Sequence, residues 1–386
     1  MNALRRNWIF LQAALTRRVP VYVQFAVTKR CNLACRMCQT TAARRTEREL
    51  DLPEIARLAG VLDRIGIGIL ILTGGEPLLR DDLPEIIRIF AERGMPPRLQ
   101  TNAFLADPEQ AAALVAAGVK EVTVSLHSLD PEVNDRITGV PGSWHGILKG
   151  LAAFSQALPA EGGLCGVNIT VSRLNLAEVP SLVRFASFIG FYASLIPVHL
   201  KDEGRPGFIV RADAPECGFQ SGDRGRIGEV YAELAAMKKS GSAIYNSYRF
   251  LRESAEYLAS GRIDWRCRSP DLYFSISPQG HFLPCVDVPG GESMLEGNFP
   301  ERYRSREFKE EIRRRARACP GCMYACYPEI TYICEDPKTF LERVAFAFQT
   351  KARRRAPRTY EEMLAAAEEM RSGPAAPGGK GFRPWK

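Results

Sequence analysis

No apolar run in this sequence approaches the roughly 20 residues that a membrane-spanning helix needs. Residues 1–20 do not read as a secretory signal either, because charge stands at both ends of a short apolar middle. These two absences point to a cytoplasmic protein. Histidine is scarce, with 4 in the chain and none before His127. No internal repeat is visible. Stacking aromatics are missing around the two densest basic runs, 313–315 and 351–355, where a single-strand nucleic-acid binder would interleave them. The net charge of +8, from 52 Lys+Arg against 44 Asp+Glu, could favour anionic partners. A solvated helix face nevertheless accounts for both basic runs better than nucleic acid does.

What is present is a 386-residue chain, 46% hydrophobic and 25% charged, enough for one large and one smaller domain. It also has 11 cysteines, many for a protein without an export signal. A reducing compartment disfavours structural disulfides, so clustered cysteines there point to metal or redox use.

Residues 1–18 pattern as an amphipathic helix, with Leu4, Trp8, Leu11 and Leu15 on one stripe and arginines at both margins. Such a helix docks on its own domain or rests on a membrane surface or a partner. Short apolar runs follow at 22–27, 67–72, 98–101, 121–126, 166–171 and 191–198. Helical patterns lie between them at 53–65, 83–93, 108–117, 143–156 and 179–189. This alternation predicts an α/β fold with a parallel sheet, a partial (β/α)6 TIM-like barrel too short to close, with its active site at the carboxyl ends of the strands. Residues 201–264 read as a linker and two helices, at 224–239 and 247–260. A hairpin pattern at 272–285, turning at Gly280, opens a small C-terminal α+β unit spanning 265–335. Helical patterns at 301–317, 336–353 and 359–370 complete the chain, and the Gly- and Pro-rich tail 372–386 reads as disordered.

Chemistry concentrates in Thr28-Lys-Arg-Cys-Asn-Leu-Ala-Cys-Arg-Met-Cys, where Cys31, Cys35 and Cys38 directly follow the first predicted strand. Three thiolates can hold three irons of a cubane and leave the fourth open to a small ligand. A structural zinc site would want a fourth local Cys or His, and none stands nearby. One strand later comes Thr73-Gly-Gly-Glu-Pro, whose adjacent glycines permit close backbone approach and whose Glu76 can pair with an amine.

Taken together, these motifs over residues 21–199 resemble the radical S-adenosylmethionine superfamily. The resemblance implies a four-iron four-sulfur cluster on Cys31, Cys35 and Cys38, with S-adenosylmethionine chelated by the open iron. Reductive cleavage would then release a 5′-deoxyadenosyl radical that takes hydrogen from a substrate. Gly74, Gly75 and Glu76 match the segment that contacts the methionine amine. Thr101, Asn102, Ser125 and His127, at the ends of the third and fourth strands, would meet the ribose. Arg136 resembles the arginine that pairs with the methionine carboxylate, and Asn168 and Ile196 would line the adenine. Met37 stands where the family commonly has an aromatic residue and can still pack on adenine. Among the histidines, only His127 is expected at the mouth, as a satisfied hydrogen-bonding group.

A second cysteine group comprises Cys267, Cys285, Cys319, Cys322, Cys326 and Cys334. The run from Cys267 through Gly280 to Cys285 resembles the opening of the SPASM and twitch auxiliary-cluster domains, and Cys319-Pro-Gly-Cys322 can turn two thiolates toward one metal. The resemblance favours one auxiliary cluster on Cys267, Cys285, Cys319 and Cys322, with Cys326 the rival for one of the latter two places. A zinc ribbon would use similar spacings. Cys165 reads as a buried small hydrophobe and Cys217 as a spare loop residue.

The reading that follows is an enzyme performing radical oxidation or bond formation on a peptide or small natural product. It would draw electrons from a donor such as flavodoxin or ferredoxin. With only about 20 residues before the first strand, no leader-binding module is recognisable, which weakens the peptide version. The alternatives are a lipid or isoprenoid substrate at a membrane surface, suggested by the N-terminal helix, and a non-enzymatic metal-binding regulator of nucleic acid.

Overall fold

A computed structural model of the chain describes residues 3–39, 48–161, 163–201, 211–352 and 355–372. The expected disordered tail lies outside these residues apart from its first position. In chain order the elements are α1 (Ala3–Thr16), β1 (Tyr22–Thr28), α2 (Leu52–Ile65), β2 (Ile69–Gly74), α3 (Leu83–Glu92), β3 (Arg98–Thr101), α4 (Pro108–Ala117) and β4 (Glu121–Ser125). Then follow α5 (Pro131–Thr138), α6 (Ser143–Ala157), β5 (Leu164–Val171), α7 (Val179–Phe188), β6 (Tyr192–Pro197), α8 (Arg224–Lys239), α9 (Tyr248–Ser260), β7 (Tyr273–Ile276) and β8 (Phe282–Leu283). The chain closes with α10 (Phe299–Arg304), α11 (Arg306–Ala318), α12 (Cys326–Glu335), α13 (Pro337–Ala352) and α14 (Tyr360–Ser372).

Local chemistry explains where the helices begin. Asp51 caps α2 by accepting from the Glu54 amide at 2.9 Å, and Glu54 returns a capping-box bond to the Asp51 amide. Asp107 and Asp130 cap α4 and α5 by accepting first-turn amides on their side chains. Glycines in the left-handed region follow α2, α5 and α9 at Gly66, Gly139 and Gly261. The apolar stripes of the crossover helices then meet the sheet, so that Leu58, Leu62, Ile86, Phe90, Leu148, Phe154, Leu182 and Phe185 share one core with Phe25, Leu72, Leu99, Val122 and Val167.

All eight strands form one sheet in the order β6-β5-β4-β3-β2-β1-β7-β8. Strands β1 to β6 run parallel, as expected for a partial barrel. The C-terminal hairpin joins them instead of forming a sheet of its own: β7 pairs parallel with β1, Phe25 opposite Ile276, and β8 returns antiparallel. Residue 265 is therefore no break in the sheet. The free edge of β1 offers unpaired amides and carbonyls, and an apolar strand arriving from the C-terminal region satisfies them.

Three helical details differ from the sequence pattern. Residues 301–317 form two helices because Ser305 is extended (φ −61°, ψ 144°) and caps α11 through its hydroxyl. Helix α5 occupies a stretch whose charged residues give it no long apolar stripe. Helix α12 starts at Cys326, so the last two C-terminal cysteines stand on a helix.

The barrel interior is polar. Arg98 pairs with Glu121 at 3.0 Å, Tyr192 donates to Glu121 at 3.0 Å, and with Gln24, Gln100 and Asn168 they line a cavity of about 160 Å³. At the periphery, buried Arg355 donates to the Ser155 carbonyl and hydroxyl and to the Leu158 carbonyl (2.5, 2.8 and 2.7 Å), closing the C-terminal end of α6. Replacing Arg355 by Ala orphans these acceptors, and we expect a loss of about 2–3 kcal/mol in urea unfolding. Limited proteolysis should then release the chain beyond residue 355 first.

Candidate active site

The loop after β1 carries Cys31, Cys35 and Cys38, all half-buried, and neighbouring backbone clamps it on two sides. On one side, the end of β2 crosses it so closely that Gly75 N–H donates to the Thr28 carbonyl and Glu76 N–H to the Arg30 carbonyl, each at 2.8 Å. A Cβ on Gly74 would stand 2.1 Å from the Thr28 carbonyl oxygen, and one on Gly75 2.0 Å from that of Arg30. Gly74 also has φ +139°. Both positions therefore require glycine. On the other side, Ala34 and Arg36 amides donate to the Thr138 and Ile137 carbonyls at 2.9 Å, over the end of α5.

Glu76 is fully buried and does not line the adjoining cavity. Its carboxylate accepts from the Thr101 hydroxyl (2.6 Å), the Asn102 amide (2.7 Å) and the Leu78 amide (3.0 Å), tying the end of β2 to the end of β3. Burial pushes its carboxyl up to about 7 despite those bonds. The residue expected to pair with an amine thus positions Thr101 and Asn102 in this structure. Asn102 in turn donates to Asn32 at 2.8 Å, and its amide lies 4.0 Å from the Cys31 sulfur.

A cavity of about 340 Å³ opens at the carboxyl ends of the strands. It gathers Cys31, Cys35, Met37, Cys38, Gly74, Gly75, Thr101, Asn102, Ser125, His127, Asn168 and Ile196, which the sequence had singled out. Arg136 is not among its walls: it is exposed on the last turn of α5. His127 is buried, and burial holds it down at about 4, so its ring is neutral. Its Nδ1 accepts from the Thr170 amide at 3.3 Å, which leaves the proton on Nε2.

His199 also lines this cavity, correcting the expectation that His127 alone would stand there. It lies two residues beyond β6, so the strand-end rule could have found it. Its Nε2 accepts from the Met323 amide at 2.7 Å, and its ring stacks on Tyr324 with centroids 4.0 Å apart. Tyr324 reaches the same cavity from between Cys322 and Cys326, and no sequence signal marked it.

Cys267, Cys285, Cys322, Cys326 and Cys334 of the second group pack against a part of the core built by Trp265, Tyr273, Met323 and Tyr327. Burial first, then the neighbouring Cys285, Cys267 and Cys326, push the Cys322 thiol far above its ordinary range. Cys319 lies near Cys267, and its sulfur accepts from the Gly321 amide at 3.4 Å. The Tyr273 hydroxyl donates to the Cys267 sulfur at 3.5 Å. Cys326 turns instead toward Gln24 in the barrel, 4.0 Å away, and the Cys334 carbonyl accepts from Arg17, just beyond α1. Between the two groups, buried Arg211 pairs with buried Asp287 at 2.5 Å, and Tyr324 donates to the same carboxylate at 3.3 Å. Residue 211 also bridges to the backbone of Cys38.

Among the described residues no three His, Cys, Asp or Glu side chains converge at single-ion spacing. A cubane takes each thiolate on a different iron, so its ligands stand wider apart. Burial pushes Cys31 up to about 11 and Cys35 to about 12. Such thiols ionise when a metal supplies the positive charge. The donor set and its burial fit a cluster of this kind.

Comparison with known proteins agrees with this geometry. The family described as "Radical SAM superfamily" matches residues 25–186. An AdoMet-dependent heme synthase of Oleidesulfovibrio alaskensis is 32% identical over 75% of this chain and 76% of its own length. A heme synthase of the same description from Methanosarcina barkeri is 33% identical over 48% of this chain. The chain spans about half the length of that relative, 53%. Among solved structures, Streptococcus suis SuiB bound to its precursor peptide SuiA superposes with a TM-score of 0.60 at 16% identity, covering 80% of this chain and 70% of SuiB. That likeness is one of fold.

Two measurements test the clamp. The fold stabilises protonated Glu76, so this contribution is full below the ordinary value of 4.5 and is lost as the pH rises to about 7. Urea unfolding of cluster-free protein should therefore show stability falling across that window, and Glu76→Gln should flatten the slope. Gly75→Ala should displace the cysteine loop and lower the iron retained after anaerobic reconstitution.

Proposed function

The chain belongs to the radical SAM superfamily, and from that premise we propose that it is an enzyme that oxidises, or forms a bond on, a peptide or small natural product. The observation that carries this reading is the convergence of Cys31, Cys35 and Cys38 with Gly74, Gly75 and four strand ends on one cavity. Cys31, Cys35 and Cys38 would hold the four-iron four-sulfur cluster, which when bound supplies the electron that releases a 5′-deoxyadenosyl radical from S-adenosylmethionine. The backbone of Gly74 and Gly75 would meet the methionine end. Thr101, Asn102, Ser125 and His127 Nε2–H would meet the ribose, and Met37, Asn168 and Ile196 the adenine. Glu76 holds Thr101 and Asn102 in place, and Arg136, exposed outside the cavity, is left out of this assignment.

A place for substrate adjoins the first cavity. Cys38, Thr73 and Gly74 also border a mostly apolar hollow of about 490 Å³, enclosed by β1, the β7–β8 hairpin and the Pro289–Gly291 loop. Small side chains at Ala26, Ser275 and Ser277 leave this room. An apolar side chain or small product seated there lies next to the centre where hydrogen would be taken. The likeness to heme synthases supports a small product, and the fold shared with SuiB supports a peptide. A lipid or isoprenoid substrate is the second reading, favoured by the apolar lining.

Cys267, Cys285, Cys319 and Cys322 would hold an auxiliary cluster, with Gly321 N–H and the Tyr273 hydroxyl as donors to its sulfurs. Cys326, turned toward Gln24, is the less suited ligand. A flavodoxin or ferredoxin would supply electrons in a cytoplasmic setting.

Anaerobic reconstitution tests both assignments. The intact protein should bind about eight irons and the Cys285→Ala variant about four. Reduced protein with S-adenosylmethionine should yield 5′-deoxyadenosine. Cys35→Ala should abolish that product, whereas Cys285→Ala should retain it and lose substrate turnover. An intact, iron-loaded protein that yields no 5′-deoxyadenosine would sink the reading.

A further inference from the structure

Helix α1 does not bury the stripe that its sequence periodicity defines. Ile9 and Ala13 enter the core beside Val21, Phe250 and Trp265, while Trp8, Leu11 and Leu15 are 57%, 49% and 75% exposed. These three stand at i, i+3 and i+7, so they form one continuous outward face. Helix α13 repeats the arrangement: Phe340, Leu341 and Phe348 are 43%, 64% and 72% exposed, and Leu341 and Phe348 are again i, i+7. Of the eight large hydrophobic side chains exposed among the described residues, six belong to these two helices. Both helices pack on α12, and Arg17 fastens the end of α1 to the Cys334 carbonyl. A single exposed leucine would need no explanation, but this concentration on two helices supported by α12 does.

The charge beside the α1 face has one sign. No Asp or Glu occurs before Glu47, and Arg17 and Arg18 stand exposed at the end of the α1 stripe, while α13 carries exposed Lys338 together with Glu342. A second copy of the chain is disfavoured, because apposing two such faces brings like charges together. An anionic bilayer matches both components: its headgroups meet Arg17 and Arg18, and its interface accepts Trp8 and the aliphatic and aromatic side chains. No helix among the described residues is long and apolar enough to cross a membrane, so the fitting mode is a helix lying in the interface.

We propose that α1 and α13 form a docking face for an anionic lipid surface. The docking is independent of the substrate assignment above, and it would hold the barrel against the bilayer through α12.

Flotation of the full-length, cluster-loaded protein tests this with phosphatidylcholine vesicles prepared with and without phosphatidylglycerol. The protein should rise with the anionic vesicles only, and high salt should weaken the association. The triple variant Trp8→Ala, Leu11→Ala, Leu15→Ala and the double variant Leu341→Ala, Phe348→Ala should each lower binding about tenfold or more. Thermal midpoint, iron content and 5′-deoxyadenosine yield should stay at the parent level, since the altered side chains are outside the core. Failure to float would overturn the proposal, as would flotation that both variants retain. A concentration-dependent dimer in light scattering that the variants abolish would assign the face to a second copy and overturn it equally.

Discussion

The close crossing of the β2 end over the start of the cysteine loop is the constraint on which the rest depends. Two glycines allow backbone to pass where any Cβ would collide, and two amide–carbonyl bonds then hold the crossing. Glu76 extends the same constraint sideways. Its carboxylate is buried at a cost in charge, and two of its three donors, Thr101 and Asn102, bring the β3 end into line. The cysteine loop, the glycine turn and the Thr101–Asn102 corner therefore form one rigid unit, and the cavity takes its shape from that unit.

A second rigid connection joins this unit to the C-terminal cysteines. Arg211 and Asp287 form a buried pair whose charges desolvate together, which is tolerable because each has hydrogen bonds besides the other: Arg211 reaches the Gly321 carbonyl and Asp287 receives Tyr324. His199 and Tyr324 stack between the same two regions, and β7 extends the barrel sheet across the gap. The C-terminal region is thus bonded into the barrel through sheet, ion pair and ring stack at once. Its cysteines keep a fixed relation to the cavity, as a group that exchanges electrons with a bound substrate would need.

Much of the site was legible because its residues sit where strands end. Short apolar runs located all six barrel strands, and residues at the carboxyl end of such a run stand at the mouth of the sheet whatever the packing behind it. Thr101, Ser125 and Ile196 follow from that rule, Asn168 stands mid-strand on β5, and His199 would have followed had it been applied two residues past β6. Tyr324 and Arg211 were not legible, because each acts through partners distant in sequence, His199 for Tyr324 and Asp287 for Arg211, and neither has a local pattern. Arg136 fell outside the cavity because it stands on the solvent side of α5, whose last turn buries Ile137 and Thr138 instead, and a short charged stretch gives no stripe from which to read that orientation.

By itself, the sequence determined the chemistry-bearing motifs, the alternation of strands and helices, and the concentration of thiols in two groups. All of these are local, set by periodicity, caps and spacing. Only the tertiary structure decided that Glu76 turns inward to hold its neighbours, that the hairpin completes the barrel edge, and that the apolar stripe of α1 faces outward. Each is a choice between two burial partners for the same residues. Such a choice depends on which surfaces are already covered, and that is a property of the assembled fold.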